Sequence, residues 1–163
     1  MAVINNYVSS NRQNDTYGNN YADGGIAETG RIVTTFEVAA GDDDGSIYRL
    51  ATLPGNAMIN KVTVMCDAIT GGTDYDLGLY KTLDDGGDVL DKDVFMDGQT
   101  LASASRVLDG LQTVAIENLV KRVYEHAGHT VEDQLGSYDL ALTGNTVGTA
   151  AGTVTVVVDL TLA

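Results

Sequence analysis

From Thr153 to Leu162 the chain alternates with a period of two. Val154, Val156, Val158, Leu160 and Leu162 fall on one side, and Thr155, Asp159 and Thr161 on the other. A helix, turning every 3.6 residues, scatters such a set around its axis, whereas a strand lines it up on one face. The segment therefore reads as a strand with one buried side. The same period governs Arg31–Val38, where Ile32, Thr34, Phe36 and Val38 share a face against Thr35 and Glu37. It returns in Met58–Cys66, with Val62, Val64 and Cys66 inward and Lys61 and Thr63 outward. Asp74–Lys81 turns Tyr75, Leu77 and Leu79 inward, and Ser137–Thr143 does so with Tyr138, Leu140 and Leu142. Ser46–Leu53 is a weaker strand, set between Gly41-Asp42-Asp43-Asp44-Gly45 and Pro54-Gly55.

Turn chemistry separates these runs. Glycine is abundant at 19, while proline occurs once and tryptophan never, the balance expected of short extended segments joined by tight turns. Thr70-Gly71-Gly72-Thr73 reads as a hairpin turn, Asp84–Asp88 as a loop, and Gly144–Gly152 as an extended turn. Val89–Met96 is expected to hold a short strand; Leu101 to Thr113 holds a helical turn or none. The pattern calls for an antiparallel sandwich or barrel. A chain of 163 residues, 44% of them hydrophobic, suits one domain with a sizeable core.

Residues 114–126 change period. Ile116, Leu119, Val120, Val123 and Tyr124 fall at i, i+3, i+4, i+7 and i+8, which predicts a short amphipathic helix. Glu117 early and Lys121, Arg122 and His126 later complement its dipole, and Gly128 supplies a stop.

Residues 1–30 stand apart from the sandwich domain expected over 31–163. After Val3-Ile4 they show neither helical nor strand periodicity, and Asn, Gly and Tyr dominate. Such an extended arm buries too little apolar surface to offset its ordering entropy alone. It is held either by its own domain or by a neighbouring subunit, and a neighbour is the expectation. Val3, Ile4, Tyr7, Tyr17 and Tyr21 are its candidate partner-binding residues, tyrosine offering ring area and a hydroxyl together.

Nine basic against 23 acidic residues leave a net charge of −14. Nucleic-acid binding needs clustered cations to neutralise phosphates, and the only adjacent basic pair is Lys121–Arg122. No apolar run approaches the 18 or so residues of a membrane span, and no basic-then-apolar secretory signal opens the chain. Synthesis in a cytosol is expected, with Cys66 a buried, reduced thiol.

Marks of catalysis are scarce. His126 and His129 lie near Glu125, Glu132 and Asp133, but Gly128 breaks the helix between them, so they read as a solvated helix terminus rather than metal ligands. The acidic loops at 42–45 and 84–88 invite a calcium reading, yet their spacing fits no EF-hand and Asp with Gly is ordinary turn chemistry. There is no Gly-x-Ser-x-Gly elbow and no phosphate-binding loop. No enzyme, cofactor or metal is expected.

From about residue 54 onward the chain resembles the small jelly-roll cement, or decoration, proteins of tailed bacteriophages. The resemblance rests on Pro54-Gly55-Asn56-Ala57-Met58-Ile59, Asp74-Tyr75-Asp76-Leu77-Gly78-Leu79-Tyr80, Ala115-Ile116-Glu117-Asn118-Leu119, Tyr138–Thr143 and Gly148–Thr153, taken in that order. It implies a jelly-roll β-sandwich on the outer capsid surface, bridging major capsid protein subunits as a homodimer or homotrimer. It implies a virion component made in the bacterial host cytoplasm, with no cofactor, nucleic acid or membrane as partner. Two other classes share the architecture: a carbohydrate- or receptor-binding module, which glycan binding would mark, and a head–tail component, which a ring assembly would mark.

Overall fold

The computed structural model describes residues 3, 5–7, 28–131 and 135–162. Its described strands are β1 (Asn5–Tyr7), β2 (Glu28–Val38), β3 (Ser46–Pro54), β4 (Ala57–Cys66), β5 (Asp74–Tyr80), β6 (Val89–Gln99), β7 (Ser105–Asp109), β8 (Ser137–Thr146) and β9 (Gly152–Leu162). They form a five-stranded sheet, ordered β1-β3-β8-β5-β6, and a four-stranded sheet, ordered β2-β9-β4-β7. Only the short β1–β3 pairing is parallel. With β1 set aside, the two four-strand orders interleave successive strands between the sheets as a jelly roll does. The fold is mainly β, an antiparallel sandwich.

The core lies between the sheets. Ile32, Phe36 and Val38 of β2 and Val154, Val156, Val158 and Leu160 of β9 face Leu77, Leu79, Tyr138, Leu140 and Leu142 of the other layer. The Phe36 ring stacks on Tyr48 across the gap at 5.0 Å, and the Thr34 hydroxyl donates to the Leu50 carbonyl at 3.0 Å. Thr34, polar yet buried, thereby ties one sheet to the other.

Bulges keep faces in phase. In β4, Ile59 and Val62 are three residues apart and still share the inner face, because two residues, Asn60 and Lys61, point outward where Ile59 and Lys61 pair with consecutive β9 partners, Leu160 and Asp159. In β6 the offset is larger: Leu77 pairs with Met96, but Leu79 pairs with Asp91. The extra residues turn Phe95 fully into the core.

The structure departs from the expectations at four places. The stretch left open between Leu101 and Thr113 contains β7, whose few residues carry no clear alternation. Strand β8 runs on through Gly144–Thr146, so the turn begins at Val147. Three arm residues expected to lack strand form β1, and Glu28–Gly30, also placed in the arm, open β2. The predicted helix over 114–126 is divided: a 3-10 turn covers Ile116–Asn118, the backbone at Arg122 is extended and bridges to Met58, and a single α-helical turn, α1, covers Val123–His126. Its would-be start lacks a cap, since Ala115 has no side-chain acceptor and the Thr113 hydroxyl donates instead to the Val94 carbonyl at 3.0 Å. Gly128 does end α1, with φ of 77°.

Candidate functional site

The two sheets present different outer faces. Along β2 buried and exposed residues alternate, and along β9 buried and half-buried ones, so the outer side of the four-stranded sheet is open. In β5 and β8 nearly every residue is buried on both sides. The cause is local. Opposite Gly78 the β6 backbone lies so close that a Cβ there would collide with the Asp91 and Lys92 carbonyl oxygens. Gly78 and its sheet neighbour Ala141 leave room for the β6 backbone at Asp91 and Lys92 to lie across this face.

Arg49 sits beneath that fold-over without exposed surface. Its Nη1 donates to Asp139 Oδ2 at 2.9 Å and to the Lys81 carbonyl at 2.8 Å, its Nη2 to the Gly87 carbonyl at 2.7 Å, and its Nε to Asn5 Oδ1 at 2.9 Å. Thr52 donates to the other Asp139 oxygen at 2.7 Å, and the Tyr80 ring lies under the guanidinium at 5.3 Å. Every guanidinium nitrogen thus has an acceptor, which is what a charge needs to sit inside a protein. One consequence bears on function: Arg49 clamps the root of the N-terminal segment, through Asn5, to the body of the domain. Beside it Lys92 pairs with Asp76 at 3.1 Å, and Asn145 donates to Asp76 at 2.6 Å.

Of the candidate partner-binding residues, Val3 is 57% exposed and Tyr7 lies on β1 opposite Arg49. Ile4, Tyr17 and Tyr21 lie outside the described residues. The described piece of the arm is therefore paired to its own domain, the possibility that the sequence reading ranked second.

The open face of the four-stranded sheet is a broad polar-apolar surface. Across it run Val33, Val157, Thr63 and Asp109 in one row, and Thr35, Thr155 and Met65 in the next. Thr35 and Thr155 share a hydroxyl hydrogen bond of 2.8 Å. Arg31 binds Asp159 at 2.6 Å, and that bond holds the Asp159 carboxyl below its ordinary range. Val107 projects from β7 with 82% of its surface exposed. Where β7 diverges from β4, a groove of about 370 Å³ opens between Met65, Asp67, Ser105 and Thr153. Cys66 lies at its floor, its thiol donating to the Ser103 carbonyl at 3.6 Å, and burial pushes the thiol pKa up, which lowers its reactivity.

The other chemistry-bearing residues have structural occupations. His126 packs edge-on to Phe95 at 5.1 Å, while His129 Nδ1 meets the Tyr138 hydroxyl at 2.6 Å. The loop carboxylates serve the turns: Asp42 accepts from Tyr48 and from the Ala39 amide, Asp44 from the Val147 amide, and Asp85 from Thr82. Among the described residues no three His, Cys, Asp or Glu side chains gather as a metal site requires.

Sequence reasoning missed Arg49, because nothing in Ser46–Leu53 signals that a charge is enclosed. It also turned Ile116, Leu119 and Val120 inward. They are exposed by 84%, 39% and 73%, and the missing cap at Ala115 was the available signal.

No protein-family model matches the chain, and no curated protein matches it. Solved structures do. The fold resembles that of a phage capsid chain. A chain of the structure described as "Capsid of Ralstonia phage GP4" aligns over 97% of this chain and 99% of its own length, with a TM-score of 0.61 and 15% identity. A chain of "Cyanophage Pam1 capsid asymmetric unit" aligns over 88% and 90%, with a TM-score of 0.47 and 17% identity. At such identities the likeness is one of fold.

Proposed function

We propose that this chain is a structural protein of a tailed-phage virion that binds the outer surface of the assembled capsid and stabilises it by bridging major capsid protein subunits. The observation that carries the reading is the end-to-end correspondence, 97% of one chain on 99% of the other, with a chain from a phage capsid. The correspondence runs over nearly the whole length of both chains.

The geometry suits the task. The open face of the four-stranded sheet offers a rigid contact area, and interfaces of roughly 800 Å² per partner are enough for specific binding. The N-terminal segment, clamped at Asn5 by Arg49, supplies Val3, Ile4, Tyr7, Tyr17 and Tyr21 toward a neighbouring subunit. Many copies on one lattice add avidity that no single contact needs. A net charge of −14 suits an outward position, away from packaged nucleic acid. The reading calls for synthesis in the bacterial host cytoplasm and for no catalysis, cofactor or membrane.

Purified protein added to heads that lack it tests the reading. It is expected to sediment with the heads to saturation. A variant lacking residues 1–25 is expected to fold, since Asp139 and two carbonyls still hold Arg49, yet to bind weakly. Failure of the intact chain to sediment with heads contradicts the capsid role; full binding by the truncated chain contradicts the role of the arm. Saturation at one site per head, rather than across the lattice, is the result that a head–tail component gives.

A further inference from the structure

Lys92, Asp76 and Asn145 stand on three neighbouring strands and touch one another. Lys92 belongs to the extra residues that β6 carries between its pairings at Asp91 and Met96. Asp76 lies on β5, and Asn145 near the end of β8. Since β5 runs between the other two strands, the Lys92 side chain reaches across it. Its Nζ donates to Asn145 Oδ1 at 2.9 Å and lies 3.1 Å from Asp76 Oδ2. Asn145 Nδ2 donates to that same Oδ2 at 2.6 Å and to Asp74 Oδ1 at 3.0 Å. Two carboxylates that only accept and an ammonium that only donates fix which end of the amide is which. The Asp76 side chain is 2% exposed, and the Gly98 amide donates to its other oxygen at 2.9 Å.

Transamidation needs this arrangement. An amine lies against an amide carbonyl, and the carbon it attacks is at most about 4 Å away, the hydrogen bond plus one C=O length. One carboxylate oxygen touches both the attacking and the leaving nitrogen, so it can take a proton from the first and hand it to the second. Holding the groups in place removes the encounter that they would need in solution.

We propose that Lys92 and Asn145 join in an amide cross-link between β6 and β8, with Asp76 as the proton shuttle. Oδ2 of Asp76 takes a proton from Nζ. The lone pair so freed forms the Nζ–Cγ bond while the carbonyl π pair moves onto Oδ1. Oδ2 gives its proton to Nδ2. The pair on Oδ1 re-forms the carbonyl as the Cγ–Nδ2 bond breaks, its electrons leaving on nitrogen. Oδ2 also carries a second proton from Nζ to the departing ammonia, which leaves as ammonium. An ammonium and a primary amide are consumed, a secondary amide and an ammonium ion are formed, and no oxidant or co-reactant enters. The chain reacts once, on itself, which is separate from turnover of a substrate and from capsid binding. The product closes residues 92–145 into a ring and ties the edge strand β6 over β5 to β8. Asp76 above all, with Asp93 of β6 and Tyr80 of β5, holds the Lys92 pKa above its ordinary 10.5. The free amine is therefore scarce at neutral pH, and the reaction quickens as the pH rises.

Mass spectrometry of the full-length protein, kept at about pH 7 and about pH 9, tests the proposal. The wild type is expected to lose the mass of one ammonia, faster at the higher pH. Its digest is expected to contain a branched fragment joining the Lys92 and Asn145 peptides. Lys92→Arg keeps the charge pair, and Asp76→Asn keeps an acceptor for the Gly98 amide. Both variants are expected to retain their full mass, and their melting curves check that they fold. A wild type without the branched fragment at either pH overturns the proposal. So does a Lys92→Arg variant that shows the same loss of ammonia. An Asp76→Asn variant that joins Lys92 to Asn145 as fast as the wild type overturns the role of Asp76.

Discussion

Arg49 shows what one side chain needs in order to carry its charge beneath an enclosed sheet face. It brings a full charge into the protein, and four acceptors surround it: Asp139, Asn5 and two loop carbonyls. Removing one member of such a set costs more than removing the pair, because the survivor stays buried and unpaired. Arg49→Ala is therefore expected to destabilise the fold by about 3–5 kcal/mol, while the double change Arg49→Met with Asp139→Leu costs much less. Denaturant unfolding of the three proteins checks the difference; equal losses in single and double variants contradict it. A second residue-scale effect concerns pH. Burial, with Lys121 nearby, holds the His126 pKa below its ordinary value of 6.5. The folded state thus prefers the neutral ring. Its contribution is complete above 6.5 and is lost as the pH falls from there through the lowered folded value. The wild type should lose more melting temperature than His126→Gln between about pH 7 and 5. Parallel curves contradict the assignment.

At the scale of elements, what was legible follows the physics of exposure. β2, β4 and β9 have one wet and one dry face, so their alternation is written plainly into the chain. β5 and β8 were recognised from their inward residues, but their enclosed outer faces were not. That enclosure depends on the fold-over at Gly78, a contact made by residues distant in sequence. β7 is too short to show a period, and β1 exists because Ile47–Arg49 offers it an edge. The division of the 114–126 segment reflects the missing cap and the competing bridge between Arg122 and Met58. The bulge in β4 yields a test that belongs to this scale. Asn60 is the added residue, so deleting it brings Ile59 and Val62 to ordinary two-residue spacing on the same face. Deletion of Asn60 should leave a cooperative fold, whereas deletion of Thr63 turns Lys61 and Val62 over relative to Val64 and prevents folding. Circular dichroism and thermal melts separate the two. Equal tolerance, or equal loss, contradicts the register.

For the molecule as a whole, alternation and turn spacing made the antiparallel sandwich legible, while the jelly-roll order entered through a resemblance of segments. Strand order is set by which long-range pairs form, and single-chain periodicity carries little of that information. The candidate surfaces were the least legible part. The sequence drew attention to tyrosines of the arm, whereas the described contacts bring forward the open four-stranded face and the Arg49 clamp. These give the domain one covered side, one open side and a fixed root for its N-terminal segment, a layout suited to lying on a larger body. A three-dimensional reconstruction of the native phage particle tests that claim most directly. The account predicts density for this jelly roll at repeated positions outside the capsid shell, spanning the joints between major capsid subunits. A shell whose outer surface carries no such density, or the same domain found only within the shell or at the neck, contradicts it.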